Sequence, residues 1–424
     1  MRRRFAAFVS AALAGALIAG GALAQSPRPG LFAAQPLDFE RAPEARVVGA
    51  YVPNWEPVAL VDGIRSGSLS HILYAFLRIC GPGQLEKDAA NCAGKQDFQL
   101  GVGPREAEFD AAFQRLKKRA PHIRVLASVG GWGGSDPFFH LANDPARRAV
   151  FTASVVAFLR AHPGFDGIDI DWEHPGGNGA ANGVQLGAPA DGQGYADLID
   201  DLRQAVDAMG TETGRRYLVT TAVNTTSTIV KRVNFRQAGP ALDLVFMMSY
   251  DFYGAWSEAA GNHTMLFSSS ADADDSLDRS VRNMLEAGVP AAKLVAGVAM
   301  YGRGFAGVAK PVTGAAKSGP YPAGGEGTLR YREIAAEALG PKGSGIKGFK
   351  AVFDAKTQAW SLWNAQSRAY IGYDDPRAVL AKGRYVLKHG LAGIFAWELS
   401  QDNGDLLNAM NLGVGNKALA AAAR

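Results

Sequence analysis

From residue 46 onward, short apolar, β-branched runs recur along the chain. Helical spacing fills most of the intervals between them. The runs are Val47–Pro53, His71–Phe76, Ile123–Val129, Gly167–Trp172, Tyr217–Asn224, Leu242–Tyr250, Lys293–Tyr301 and Gly393–Trp397. Segments 106–120, 147–161, 195–209, 276–286 and 375–388 carry apolar residues at the three- and four-residue intervals of a helix face. Strands that alternate with helices pair in parallel. Eight such units predict an α/β fold, a (β/α)8 TIM barrel. A doubly wound open sheet is the competing architecture. It is disfavoured because Tyr51-Val52-Pro53-Asn54-Trp55 ends the first strand, where that fold needs a glycine-rich phosphate turn.

One interval breaks the rhythm. Between Tyr301 and Tyr373 the chain turns rich in Gly, Lys and aromatics. One helix is expected at 329–339, with strand-like pieces at 348–354 and 359–364. This predicts a small α+β insertion domain after the seventh strand. Loops at that end of a barrel form the active-site face, so the insertion is expected to wall a cleft. The expected organisation is a barrel over 46–302 and 373–412, an insertion over 303–372, an exposed lead-in over 25–45 and a tail over 413–424.

Residues 1–24 read differently. Arg2, Arg3 and Arg4 precede an apolar stretch from Phe5 to Leu23, and Ala22-Leu23-Ala24 offers the small residues of a cleavage site. A signal peptide is expected, with a membrane anchor as the alternative, because the stretch nearly spans a bilayer. Removing the signal takes three arginines and no acid, so the formal net charge falls from +4 to about +1. No Lys/Arg-rich run remains to support nucleic-acid binding. The expectation is an exported monomer, periplasmic or secreted, free of the membrane once the signal is removed. Cys80 and Cys92 are the two cysteines. An even number at short spacing in an exported chain predicts one disulfide, against two buried thiols. No histidine pair stands near them for a zinc site, and no cofactor is expected.

The sharpest chemical signal is Asp166-Gly167-Ile168-Asp169-Ile170-Asp171-Trp172-Glu173. Strand side chains alternate faces, so Asp169, Asp171 and Glu173 share the side that points into the barrel, while Ile168, Ile170 and Trp172 meet the helices. Three inward carboxylates on one buried strand cannot all ionise freely, and at least one pKa is expected to rise. A carboxylic acid kept neutral in this way is what a glycosidase uses to protonate a leaving oxygen. Glu173, at the C-terminal end of the strand, is nearest the active-site face. A solvated surface strand and a divalent-metal site are the alternatives. A parallel barrel strand disfavours the first, and the absence of further ligand-type residues disfavours the second.

The spacing Asp166-x-x-Asp169-x-Asp171-x-Glu173 resembles the signature of glycoside hydrolase family 18 chitinases, and the chitinase A type in particular. Ser128-Val129-Gly130-Gly131-Trp132, Met248-Ser249-Tyr250-Asp251, Tyr301-Gly302-Arg303-Gly304, Tyr373-Asp374-Asp375-Pro376 and Ala396-Trp397-Glu398 resemble further motifs of that family, in the same order. The resemblance implies hydrolysis of β-1,4 bonds in chitin by a retaining route in which the substrate's own acetamide attacks C1. Glu173 would be the general acid. Asp171 would hold the acetamide and stabilise the oxazolinium ion, and Asp169 would share a proton with Asp171. Tyr250 would fix the acetamide oxygen, and Asp251 would bind the distorted sugar. Trp397 would floor the site with Met248 nearby. Trp132 and Trp256 would contact sugars on the leaving-group side, and Tyr51 and Trp55 those on the other. Tyr301, Arg303 and Glu326 would line the cleft, and so would Phe76, although the second strand alone reads Tyr74 and Phe76 as barrel core. His174, next to the acid, is assigned a structural or loop role. Gly325-Glu326-Gly327 stands where close relatives carry a Trp-Glu pair, which predicts weaker processivity on insoluble chitin. An endo-β-N-acetylglucosaminidase acting on N-glycans shares the carboxylate motif. A chitin-binding lectin is the non-enzymatic alternative; lectins of this family lose the acid that Glu173 represents.

Overall fold

The apolar runs become eight parallel strands: β1 (Val47–Pro53), β2 (His71–Ile79), β3 (Arg124–Gly130), β4 (Gly167–Asp171), β5 (Leu218–Val223), β6 (Leu244–Met247), β7 (Leu294–Ala299) and β8 (Gly393–Trp397). Each pairs with the next, and β8 closes on β1 with Val47 opposite Gly393. The computed structural model describes residues 31–42, 44–177 and 185–419. The expected signal at 1–24 and the last residues of the tail lie outside the described residues. No helix among the described residues is long and apolar enough to cross a membrane.

Helices Pro104–Arg119, Pro145–Ala161, Asp191–Thr213, Leu277–Glu286 and Pro376–Lys388 fill the expected intervals. Their starts follow local chemistry. Asp144 accepts the Ala146 N–H at 2.9 Å with Pro145 as the first helical residue, and Ser276 accepts the Arg279 N–H at 3.1 Å. Alternation along the strands divides the apolar residues into two cores. Leu73, Leu126, Phe246, Val295 and Phe395 fill the barrel. Ile168, Ile170 and Trp172 pack outward among the helices, with the Trp172 ring 5.5 Å from Phe138 and 5.2 Å from Phe139.

Between β7 and β8 lies a second, six-stranded antiparallel sheet. Its strand Tyr301–Ala306 pairs with Gly319–Pro320, with Thr328–Arg330 and with Ala369–Tyr373. Ala359–Asn364 and Phe349–Asp354 complete it. Tyr301, expected to end the seventh barrel strand, instead opens this sheet. The backbone requires Gly302 and Gly304 there: a Cβ on Gly304 would lie 2.0 Å from the Tyr321 carbonyl oxygen. The expected helix at 329–339 starts at Tyr331, because Thr328–Arg330 is a strand.

The Tyr373-Asp374-Asp375-Pro376 motif fastens the two parts together. Asp375 caps the helix that follows and accepts the Tyr373 hydroxyl at 2.8 Å. Asp374 and Lys382 form a fully buried ion pair at 2.9 Å. The same Asp374 oxygen accepts the Ala299 N–H and the Thr264 hydroxyl. A buried charge that loses its partner is costly. Lys382→Met is therefore expected to lower unfolding free energy by about 3 kcal/mol in urea titrations. Lys382→Met with Asp374→Asn is expected to recover part of the loss; an unchanged midpoint in the single variant would contradict the pairing.

The described part of the expected lead-in is only partly exposed. Leu31 and Phe39 are buried, and Phe39 bridges Ala418, so the lead-in pairs with the tail. Asp38 accepts the Gly67 N–H at 2.6 Å, and Asn408 and Asp405 accept N–H groups of Leu37 and Ala34. Leu31 and Phe39 gain burial from these distant partners, which the Pro/Ala pattern did not reveal. Cys80 and Cys92 form a disulfide with Cα atoms 5.4 Å apart, tying the end of β2 to a short helix at Ala89–Cys92.

Candidate active site

β4 delivers the three carboxylates as alternation requires. Asp169 is fully buried at the centre of the barrel. Its neighbours in register, Ser128 on β3 and Thr220 on β5, donate hydroxyls at 2.7 and 2.6 Å, and Tyr51 donates at 3.2 Å. Burial nevertheless raises its pKa to about 6, against these hydrogen bonds, which act to lower it. One turn of alternation further, Asp171 is also buried. Its Oδ1 has no hydrogen-bond partner among the described residues. Burial, then the charges of Glu173 and Asp169, push its carboxyl well above the ordinary range, and Arg78 opposes them. Glu173 lies just past the strand. Its carboxyl is raised to about 8, by burial first and by the negative charge of Asp251 second. Arg78 donates to the Gly130 carbonyl beneath this turn.

Asp251 behaves oppositely. Burial favours its neutral form, but hydrogen bonds from His263 and Arg303, together with the Arg303 charge, hold its carboxyl well below the usual range. Arg303 Nε lies 2.8 Å from Asp251 Oδ1, and His263 Nδ1 lies 3.4 Å from it. Asp251 is thus a fixed anion, while Glu173 stays protonated beside it. Tyr250 is buried. Its hydroxyl pKa is raised, mainly by burial and then by the surrounding carboxylates, so it remains an O–H donor.

The aromatics arrange themselves around this group. Trp397, at the end of β8, lies 5.0 Å edge-on from Tyr51 and stacks on Phe76 at 5.6 Å. Phe76 reaches the interior because the β2–β3 register shifts between Ala75 and Leu77. Such a bulge lets successive residues face one side. Tyr74 points outward to Phe109 and donates to Glu106. Met248 packs on the barrel interior, and Tyr301 lies 6.2 Å from Tyr250. Trp55, Trp132 and Trp256 are 57–59% exposed, unusual for so large an apolar ring, and they follow β1, β3 and β6 at the same end of the barrel. Arg303 stacks on Trp256 at 4.8 Å. Glu326 stands at the rim, 4.0 Å from Arg303, with its side chain 83% exposed.

Several contributors escaped the sequence reading. Ser135 accepts the Glu173 N–H at 2.9 Å and lies 3.1 Å from the Asp171 carbonyl, so it sets the backbone that carries both acids. Thr220, Arg78 and His263 act on Asp169, Asp171 and Asp251 from other strands and loops. Strand register could have suggested Thr220; nothing local marks the other three. Burial and the Arg232 charge depress the His174 pKa to about 4, so it stays neutral, and its Nδ1 is buried without a partner among the described residues. No group of His, Cys, Asp and Glu suited to a metal ion occurs among the described residues.

A sequence model of the family described as Glycosyl hydrolases family 18 matches residues 47–402. The chain is 36% identical over 430 residues to Chitinase A of Pseudoalteromonas piscicida, covering 86% of this chain and 52% of that protein. It thus spans about half the length of that relative. It is 37% identical over 409 residues to a probable endochitinase of the Orgyia pseudotsugata multicapsid polyhedrosis virus, covering 87% of this chain and 72% of that one. A solved chitinase from Bacillus thuringiensis has the same fold, with a TM-score of 0.74 at 27% identity over 87% of this chain and 70% of that one. The family match runs from the first residue of β1 to just past β8, and with it the chain belongs to glycosyl hydrolases family 18.

Proposed function

We propose that this protein is an exported chitinase that hydrolyses β-1,4 bonds of chitin and chitooligosaccharides with retention, using the substrate's acetamide as nucleophile. The observation that carries the reading is the contrast along β4. Asp169 accepts three hydroxyl hydrogen bonds, Asp171 keeps a buried oxygen without a partner among the described residues, and Glu173 holds its proton to about pH 8. The relatives' names point to the same substrate.

In this reading Glu173 gives its proton to the glycosidic oxygen as the C1–O bond breaks. The acetamide oxygen forms the new bond to C1. Tyr250, kept protonated, donates to that oxygen and holds it in line. The free Asp171 oxygen accepts the acetamide N–H, and its carboxylate offsets the positive ring as it forms. Asp169 sits behind Asp171 and shares its proton. Water then opens the ring from the face the leaving group vacated and returns a proton to Glu173. Trp397 supplies an apolar floor for the sugar face. Asp251, anchored by Arg303, binds sugar hydroxyls. The leader and the disulfide support export, in line with the oxidising compartments where disulfides persist.

The test is product analysis of chitin hexamer cleavage by NMR. N,N′-diacetylchitobiose released first as the β-anomer is the expected result; an initial α-anomer would exclude retention. Bound but uncleaved hexamer would indicate a lectin, and cleavage of a glycoprotein in place of hexamer an endo-β-N-acetylglucosaminidase.

A further inference from the structure

Trp256 is a large ring on a loop, and the loop alone does not account for its placement. Residues 254–257 form a turn in which the Gly254 carbonyl accepts the Ser257 N–H at 3.0 Å. The indole folds back over Gly254, where a Cβ would lie 2.3 Å from a ring carbon. The turn is tied to the insertion from outside. Ala260 N–H donates to Ala315 O and Gly314 N–H to Ala260 O, both at 2.9 Å. Lys317, two residues beyond that bridge, reaches back with its ammonium. It donates to the Ala255 carbonyl at 2.7 Å and to Gly254 at 3.3 Å, and sits 5.4 Å over the Phe305 ring. No carboxylate among the described residues pairs with it. Its hydrogen bonds are therefore made to the two residues that precede Trp256.

We propose that Lys317 is a positioning residue for Trp256, and through it sets the affinity for sugar units bound on the leaving-group side of the cleft. This rests on the chitinase reading and on Trp256 contacting those units. The ammonium holds two adjacent carbonyls and so fixes the pitch of the turn, while Arg303, stacked on the ring and bonded to Asp251 and Thr328, fixes its other contact. The exposed ring is then held at a set distance from the Glu173–Asp251 group. Charge-assisted hydrogen bonds to carbonyls are strong enough to hold a loop of this size. A ring held in place binds sugar without first losing conformational freedom.

The experiment is steady-state kinetics on the whole protein with two substrates. One is chitin hexamer. The other is a chitobioside carrying a single aromatic fluorophore as leaving group, too short to reach an outer subsite. Lys317→Met is expected to raise KM for hexamer about five- to tenfold with kcat within about twofold, and to leave the short substrate unaffected. Lys317→Arg, which keeps the charge and donors, is expected to restore most of the affinity. Trp256→Ala is expected to raise hexamer KM at least as much, and the double variant no more than Trp256→Ala alone, since the two residues act through one ring. Additive effects, or a normal hexamer KM in Lys317→Met while Trp256→Ala is impaired, would overturn the role of Lys317 and leave the chitinase reading standing. A normal KM in Trp256→Ala would overturn the assignment of the ring itself. Should Lys317→Met fail to fold, Lys317→Ala, which likewise has no donor for the two carbonyls, is measured in its place with the same expected outcomes.

Discussion

Replacing Glu173 with Gln is expected to lower hexamer turnover by about a thousandfold or more while the protein folds normally. Gln keeps the shape of the side chain but has no proton to give. The pH dependence follows from the carboxyl raised to about 8. A general acid works only while protonated, so wild-type rate should fall as pH climbs through about 8. Stability should follow the same titration. The folded pKa lies above the ordinary 4.5, so the folded state binds the extra proton. The stability this residue contributes is complete below pH 4.5 and is lost as pH rises through about 8. Glu173→Gln removes that dependence. The variant should therefore gain on the wild type with rising pH, by about 2–4 kcal/mol at pH 9, after allowance for the neighbouring carboxylates. Parallel thermal melts at pH 4 and pH 9 read this directly. Wild-type turnover in the variant would end the assignment of Glu173 as the acid. A stability gap that does not widen with pH would mean that Glu173 is already ionised in the folded protein.

Asp171→Ala is the second large effect, an expected loss of about 10²–10³-fold in kcat on acetylated substrate. The variant removes both the acceptor for the acetamide N–H and the charge that faces the developing cation. The proton on Glu173 is held by burial and by the charge of Asp251, while Asp171 is itself pushed well above the ordinary carboxylate range. The alkaline limb of the pH–rate profile should therefore stay near its wild-type position. A wild-type thermal melt in the variant separates mechanism from damage. Full activity in Asp171→Ala would argue against substrate assistance. A limb that moved to lower pH would mean that Asp171 carries its charge beside Glu173 in the free protein.

Much of this site could be read residue by residue. The alternation of Asp169, Asp171 and Glu173 with Ile168, Ile170 and Trp172 put the acids inside and the apolar residues outside, because a strand side chain has only two directions. Phe76 was harder. Simple alternation would put it outside with Tyr74, and the bulge before Leu77 turned it to the cleft. The lead-in misled because Leu31 and Phe39 are isolated apolar residues in a Pro/Ala stretch with no period. Their burial depends on distant parts of the chain: Phe39 bridges Ala418, and Leu31 joins the core between barrel and helices. Ser135, Arg78 and His263 carry no local mark, since hydroxyls, guanidiniums and imidazoles occur on any surface. Their roles come from meeting Glu173, Asp171 and Asp251 across different loops.

The sequence by itself determined the eight-unit barrel, the interrupting insertion, the row of acids on the fourth strand and the family, because periodicity and spacing are written locally along the chain. The tertiary structure alone decided which acids keep their protons. Asp251 and Glu173 are neighbouring carboxyls, yet Arg303 and His263 hold the first ionised, while burial and the charge on Asp251 keep the second protonated. Desolvation and charge act through space, over distances set by strand register and loop packing, and no stretch of sequence encodes those distances on its own.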